Sequence, residues 1–328
     1  MNRLKSLSLF AGRRFILAVP TLLLVVSVVF LLVHLAPGDA TTFLAGDGAI
    51  GDEYLAVIRA EYGLDKPFHV QYFNYIKKVL TGDLGTSFRY NASVTSLILE
   101  RLPATLVLML GAIVLFVTTG IILGVFAARK PNSVFDVGLS VVAVAGWSTP
   151  LFWLGQILII IFAVKLGWLP AQGMFNLQQT ASGLWERCTD LGLHLILPLC
   201  TLGMRYLALG ARMTRASMLE VLSQDYIITA RSKGLKEKVV LVRHAVPNAL
   251  LPVVTLVGMN IGTMLTGSVL TEVVFGWPGM GRLLYDGIYA RDYPLVIGIV
   301  ITVSIAVIIT NLITDLVYAF IDPRIRYR

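Results

Sequence analysis

Long apolar runs without charged residues constrain this chain more than any other feature. Five runs contain no Asp, Glu, Lys or Arg, and a sixth is interrupted only by Arg205. The runs are Phe15–Leu35, Leu102–Ala128, Val137–Val164, Leu191–Ala211, Asn248–Thr271 and Tyr293–Thr314. About 20 apolar residues span the hydrocarbon core as a helix, and in lipid each backbone polar group needs a partner inside the protein. The sequence therefore predicts an all-α polytopic membrane protein with six transmembrane helices.

The composition agrees with this interpretation. Charged residues make up 14% of the chain, whereas a soluble domain carries about 25%. The first apolar run follows four basic residues, and no A-x-A cleavage site occurs at Ala36–Gly38. We therefore expect an uncleaved signal anchor rather than a removed signal peptide.

The distribution of Lys and Arg predicts the orientation, because cytosolic loops carry the excess of basic residues. With a cytosolic N-terminus, sixteen basic residues fall in inside segments and ten in outside segments. This favours an N-in/C-in topology. The predicted domain organisation is as follows: residues 1–35, N-terminal cytosolic segment and first helix; 36–101, extracytoplasmic loop or cap; 102–320, core of five helices; 321–328, cytosolic tail. The core contains a cytosolic loop at 213–247 and an outer hairpin at 272–293.

Both outer segments contain short amphipathic patterns. Residues 71–80 and residues 283–289 have helical periodicity. The 36–101 segment is interpreted either as a dock for an external partner or as a structural cap. Aromatic residues of the outer hairpin, Trp277 and Tyr289 among them, are typical of anchors at a membrane interface.

Motifs for catalysis are absent from the sequence. It has no HExxH, no G-x-S-x-G and no G-x-x-x-x-G-K-[ST], so an ATPase site of its own is not expected. No His, Cys or carboxylate cluster has metal-ligand spacing. We expect no catalytic residue, no metal and no cofactor on this chain. Because the basic residues are divided among separate loops, nucleic-acid binding is not expected either.

Small and ionisable residues inside the apolar runs give two further hypotheses. Gly120 and Gly124 form one G-x-x-x-G pair and Gly258 and Gly262 another, which indicates close helix packing. The ionisable residues in the predicted spans are Arg205 and Asp315. Both are functional candidates by position, and snorkelling or structural pairing is the alternative.

The basic loop contains a punctuated helical pattern. Residues 223–225 offer N-cap side chains, and two helical turns follow from Tyr226 to Lys233. Gly234 suits the left-handed position after a helix end, with Leu235 as the apolar contact of a Schellman motif. A short rigid helix of this kind suits a groove on a cytosolic protein, and binding of its basic residues to anionic lipid is the alternative.

The same stretch resembles the cytosolic EAA loop of permeases in ABC importers that use a substrate-binding protein. The Glu and the first Ala of that loop are replaced here, and D-Y-x-x-T-A-R-x-K-G-L at 225–235 is similar to the dipeptide/oligopeptide/nickel branch. Further branch motifs occur in order along the chain: APGD (36–39), YGLDKP (62–67), GDLGTS (82–87), WPGMGR (277–282), DYPL (292–295) and DPR (322–324).

The resemblance implies a MetI-like permease bundle in the bacterial inner membrane that forms half of a pore for di- or oligopeptides. It implies ATPase coupling through the following residues: Asp225, Tyr226, Thr229, Ala230, Arg231, Lys233, Gly234 and Leu235. The implied partners are a second homologous permease chain, two cytosolic ABC ATPases that bind ATP and magnesium, and an extracytoplasmic substrate-binding protein. Nickel or glutathione import by the same machinery, an ATP-independent transporter or channel, and a membrane scaffold are the alternatives.

Overall fold

The computed structural model describes residues 2–35, 66–176 and 183–321. The helices are α1 (Asn2–Leu35), α2 (Phe68–Leu80), α3 (Val94–Arg129), α4 (Val134–Ser148), α5 (Leu151–Lys165), α6 (Leu184–Leu222), α7 (Asp225–Ser232), α8 (residues 237–274), α9 (Met280–Tyr289) and α10 (Tyr293–Ile321). A two-stranded antiparallel hairpin, β1 (Thr86–Ser87) with β2 (Ala92–Ser93), precedes α3. The motifs at 36–39 and 322–324, and most of the one at 62–67, lie outside the described residues.

The chain divides into two compact units. One comprises Met1–Thr105 and Pro278–Leu312, and the other comprises Leu106–Trp277 and Ile313–Arg328. Helices α3 and α10 therefore each contribute to both units.

Three described helices are long and apolar enough to cross a membrane: α3, α6 and residues Tyr293–Thr314 of α10. Helices α4 and α5 would together make a fourth span, and α1 contributes a shorter apolar stretch at Ile16–Leu32. The six spans and the N-in/C-in orientation thus stay predictions.

The apolar run at 137–164 does not form one straight helix. Helices α4 and α5 meet at an angle of 107°, and the break lies at Thr149–Pro150. Thr149 has extended backbone angles, φ −79° and ψ 127°, because the proline ring disfavours the helical conformation in the residue before it. An X-Pro pair in the middle of an apolar run is therefore the cause of the bend.

Helix α6 is much longer than the apolar run that predicted it. It extends over 39 residues, whereas the run covers 191–211. Pro198 lies inside the helix. Small residues let α3 approach α6 closely: a Cβ on Gly120 would lie 2.8 Å from the backbone oxygen of Leu207, and one on Gly124 would lie 2.6 Å from that of Ala211.

The second glycine pair lies in α8. A Cβ on Gly258 would lie 2.1 Å from Cγ2 of Thr314, so glycine is required there by contact with α10. The packing of Gly262 and the side chain of Asp315 lie outside what the structure describes.

Helix α8 contains a wide π-helical segment, Val240–Ala245, between Glu237–Val239 and Val246–Val274. Pro247 follows it in the first turn of the regular helix. Proline cannot donate a backbone hydrogen bond and its ring collides with the preceding turn, and a π segment relieves both constraints. The chain therefore stays helical from residue 237 to residue 274 rather than starting a new helix at Pro247.

In the outer hairpin the structure corrects the interpretation of Trp277. Tyr285 and Tyr289 are 50% and 81% exposed, but Trp277 is fully buried. Its indole is thus buried in the protein and is not an interfacial anchor.

Candidate functional site

Two kinds of short-range hydrogen bond precede and begin helix α7. Gln224 is its N-cap residue and makes no side-chain capping hydrogen bond. Instead, the backbone oxygen of Gln224 accepts from the N–H groups of Ile227 and Ile228 at 3.0 and 3.3 Å. The Ser223 hydroxyl donates to the carbonyl of Glu220 at 2.7 Å, at the end of α6. The predicted side-chain N-cap is therefore wrong, since the Ser223 hydroxyl bonds to the last turn of α6 and not to the first turn of α7.

The end of α7 is set by Gly234. Its φ is +77°, a left-handed conformation that glycine adopts without steric cost. Its N–H donates to the carbonyl of Arg231 at 2.9 Å, one of the two hydrogen bonds of a Schellman motif. A Cβ at this position would meet nothing within 4 Å, so the requirement for glycine is conformational. Leu235 is 41% exposed and lies outside the nearby apolar cluster.

The inner face of α7 packs into an apolar cluster, here called the α7 cluster. Ile227 is fully buried and Ala230 is 7% exposed. The buried members of the cluster are Ala128, Met218, Ile227, Ala230, Val240, Leu241, Ala245 and Ala249. These residues come from the ends of α3 and α6, from α7 and from the first turns of α8. The cluster thus attaches a helix of only eight residues to three long helices.

The outer face of α7 combines apolar and basic side chains. Tyr226 and Ile228 are 43% and 54% exposed, and Asp225, Thr229, Arg231 and Lys233 also lie on the exposed surface. Large apolar groups exposed beside basic ones are typical of protein–protein contacts. This surface can therefore bind a partner protein while the opposite face stays packed.

Two adjustments to the predicted residue set follow. Ala230 faces the α7 cluster and its small side chain permits the close packing, so it does not lie on the outer face. Ile228 was missed by the sequence analysis, although it lies on the exposed side. Helical periodicity contained the signal, because Ile227 and Ala230 share one face and Ile228 points away from it.

An ion pair bridges the turn at Gly234. The Arg231 guanidinium donates to both carboxylate oxygens of Glu237, at 2.8 Å from Nη2 and 3.2 Å from Nε. The hydrogen bond from Arg231 lowers the pKa of Glu237 below its ordinary value, and the positive charge of Arg129 adds to the effect. The same hydrogen bond raises the pKa of Arg231. Both side chains are nearly half exposed, so this is a solvent-exposed ion pair that links α7 to α8.

A second ion pair fixes α4 against α6. The buried Asp136 carboxylate accepts two hydrogen bonds from the Arg215 guanidinium, with Nη2 at 2.7 Å from Oδ2. It also accepts one from the backbone N–H of Asn132 at 2.9 Å. Ser133 is the N-cap of α4 and accepts from the N–H of Asp136 at 3.3 Å. The paired geometry compensates the burial of the carboxylate.

Comparison with family models matches nearly the whole chain. Residues 120–327 match the model described as the inner membrane component of binding-protein-dependent transport systems. Residues 7–109 match the N-terminal model of membrane components of the same systems. The outer face of α7, here called the α7 surface, lies within the match at residues 120–327.

Curated relatives cover nearly the whole chain. The di/tripeptide transport system permease protein of Pseudomonas aeruginosa (strain UCBPP-PA14) is 41% identical over 332 residues, 97% of this chain and 99% of the relative. The glutathione transport system permease protein of Salmonella choleraesuis (strain SC-B67) is 42% identical over 317 residues, 96% of this chain and 98% of the relative. A solved structure of a methionine ABC transporter in inward-facing conformations matches with TM-score 0.48 and 17% identity, covering 69% of this chain and 94% of that one.

Proposed function

The chain belongs to the family of inner membrane components of binding-protein-dependent transport systems, and from this premise we propose that it forms half of a peptide-conducting pore driven by partner ATPases. It is a multi-pass protein of the bacterial inner membrane with an all-helical, MetI-like permease fold. As a permease subunit of an ABC importer, it has an ATPase and a substrate-binding protein as partners. Within this frame the proposal concerns the docking surface, the stoichiometry and the substrate.

The α7 surface is proposed as the contact with an ABC ATPase. The observation that carries this is the division of one short helix into a face buried in the α7 cluster and a face with exposed Tyr226 and Ile228. A push on the outer face is transmitted through packed side chains to the ends of α3, α6 and α8. Continuous helix from residue 237 to residue 274 supports transmission along α8.

The remaining features of the assembly are proposed on the same premise. Two such ATPases would bind ATP and magnesium, while this chain itself binds no cofactor. A second homologous permease chain would complete the pore. Six spans with both termini in the cytosol would place α7 on the ATPase side, in agreement with the basic residues of 213–247.

Di- and oligopeptides are the proposed substrates, because the di/tripeptide relative is similar over nearly the full length of both chains. Glutathione is the second candidate, because a glutathione permease is equally similar. Uptake of labelled dipeptide and of labelled glutathione by proteoliposomes containing the complete importer distinguishes the two.

A pair of double variants tests the docking surface. Tyr226→Ala with Ile228→Ala removes the exposed aromatic and aliphatic groups of α7. Leu184→Ala with Trp185→Ala removes a similar pair, 83% and 81% exposed, at the opposite end of α6. We expect the first double variant to lose bound ATPase during purification and the second to retain it.

Equal retention of ATPase by both double variants would contradict the docking role of α7. Dipeptide flux through liposomes that contain permease chains without ATPases would instead favour an ATP-independent transporter.

A further inference from the structure

Helices α4 and α6 run antiparallel and carry a contact at each end of their shared length. At one end Asp136 binds Arg215. At the other end the Arg205 guanidinium lies over the Trp147 ring, with Cζ 4.4 Å from the ring centroid. The two contacts are ten or eleven residues apart on each helix, which corresponds to about 15 Å.

The Arg205–Trp147 contact lies deep relative to the apolar run. Asp136 directly precedes the uncharged run that begins at Val137, so the Asp136–Arg215 pair marks one edge of the apolar region. A depth of about 15 Å is half of a hydrocarbon core about 30 Å thick. The break at Thr149–Pro150 follows Trp147 within three residues. Irregular backbone at this depth occurs where it is buried in protein or lines a water-filled cavity.

A cavity of about 610 Å³ lies between the two helices. This volume is in the range of ligand sites, roughly 300–1,000 Å³. Its lining includes Ser140, Val144 and Trp147 of α4, and Ala208, Arg212 and Arg215 of α6. The cavity thus extends from the buried ion pair to the level of the helix break.

This cavity, together with Arg205, which lies over the lining residue Trp147, is here called the arginine groove, and it carries uncompensated positive charge. Arg215 is paired with Asp136, but none of the described carboxylates forms a salt bridge with Arg205 or Arg212. Both arginines are exposed, and they are seven residues apart, on one face of α6. A cation at membrane depth is costly unless it faces a cavity and finds an anionic partner.

We propose that the arginine groove is a substrate-contact surface, in which Arg205 and Arg212 bind the carboxylate groups of a peptide in transit. This inference rests on the proposed peptide-import function. The cation–π contact with Trp147 holds the Arg205 guanidinium in place, and its N–H groups stay available for a bidentate carboxylate contact. The groove then favours substrates with additional carboxylates over substrates with additional ammonium groups.

The test uses the complete importer in proteoliposomes, with initial uptake rates of Ala-Asp and Ala-Lys. Arg205→Gln should lower Ala-Asp uptake about tenfold, the size of a lost charge-assisted hydrogen bond, and Ala-Lys uptake less than about twofold. Arg212→Gln should change the ratio of the two rates in the same direction. Arg205→Lys should retain most of the preference. Because the substrate-binding protein is the same throughout, its own selectivity cancels in the ratio of variant to wild type.

Arg187→Gln is the matched control, since Arg187 is an exposed arginine of the same helix outside the groove. It should leave both rates unchanged. An equal loss for both dipeptides in Arg205→Gln and Arg212→Gln would overturn the inference and assign the arginines to packing or to a partner subunit. Unchanged rates in both variants would overturn it as well. Absence of dipeptide uptake by the wild-type importer would overturn the proposed function itself, a result distinguishable from either.

Discussion

Two short helices, α7 and α9, illustrate different ways to fix a connecting segment between long helices. Both have one buried and one exposed face. The N–H of Met280, the first residue of α9, is bound by the buried Thr105 hydroxyl at 2.8 Å. The first turn of α7 has no side-chain cap. The two helices therefore differ already at their first turns.

Their C-terminal connections differ more. After α9, the buried Asp292 carboxylate accepts from the Ser87 hydroxyl at 2.5 Å and from the backbone N–H groups of Arg89 and Leu295 at 3.1 and 3.3 Å. After α7, a glycine with open space around it and a solvated ion pair make the turn. A buried carboxylate with three donors is expensive to disturb, whereas the turn at Gly234 can adjust at low cost. We infer that α9 is a fixed part of its unit and that α7 is a part that can be displaced.

The largest expected effect is at the fixed connection. Asp292→Ala removes a carboxylate that accepts three hydrogen bonds and leaves buried donors without partners, so we expect a loss of about 3 kcal/mol of stability. Asp225→Ala is the matched change on α7, where an exposed carboxylate acts only on the helix dipole, and it should cost about 0.5 kcal/mol. Thermal unfolding in detergent measures both. Similar shifts for the two variants would contradict the distinction between the connections.

The next effect separates the two faces of α7. Ile227→Ala opens a cavity in the α7 cluster and should cost about 2–3 kcal/mol. Ile228→Ala makes the same chemical change on the exposed face, where we expect less than about 0.5 kcal/mol. Unfolding midpoints of the isolated permease test this. Relative to its loss of stability, Ile228→Ala should reduce the amount of bound ATPase more than Ile227→Ala does. A large loss of stability in Ile228→Ala would show that the outer face is not a free surface.

A smaller effect concerns the turn itself. Gly234→Ala places a Cβ in a left-handed conformation and should cost about 1 kcal/mol, although the space around it is open. Gly138→Ala in α4 is the control, because a Cβ there also meets nothing within 4 Å and φ is not positive. It should be neutral or stabilising. If both variants behave alike, the turn at Gly234 does not depend on its left-handed backbone.

The sequence predicted those features that depend on local pattern. The helices at 68–80 and 280–289 follow amphipathic periodicity, and the end of α7 follows from Gly234 and its positive φ. The break between α4 and α5 also has a local signal, the Thr149–Pro150 pair, although the apolar composition of the run is uninterrupted and does not contain the angle of 107°. Composition reports burial in lipid and not the direction of the backbone.

Contacts between distant residues could not be predicted. Ser87 and Asp292 are 205 residues apart, and Asp136 and Arg215 are 79 apart. The resemblance placed Ala230 in the coupling loop, yet which face of α7 it occupies depends on the ends of α3 and α6 that pack against it. The charge of the arginine groove likewise depends on α4 lying beside α6, which no single stretch encodes.

The smallest expected effect is that of the ion pair across the α7 turn. Since the pKa of Glu237 is lowered in the folded protein, its stabilisation is present above the ordinary value of 4.5 and is lost as the pH falls through the lower folded value. The raised pKa of Arg231 gives a contribution that is complete below the ordinary pKa of an arginine side chain, so it does not vary near neutrality. Because both groups are nearly half exposed, the pair should contribute only a few tenths of a kcal/mol.

Glu237→Gln should therefore lower the unfolding midpoint slightly at pH 7, and the difference from wild type should shrink below about pH 4.5 and in high salt. A difference that persists unchanged in acid would mean that Glu237 braces the turn by packing rather than by charge, and α7 would then be held more firmly than its exposed turn indicates.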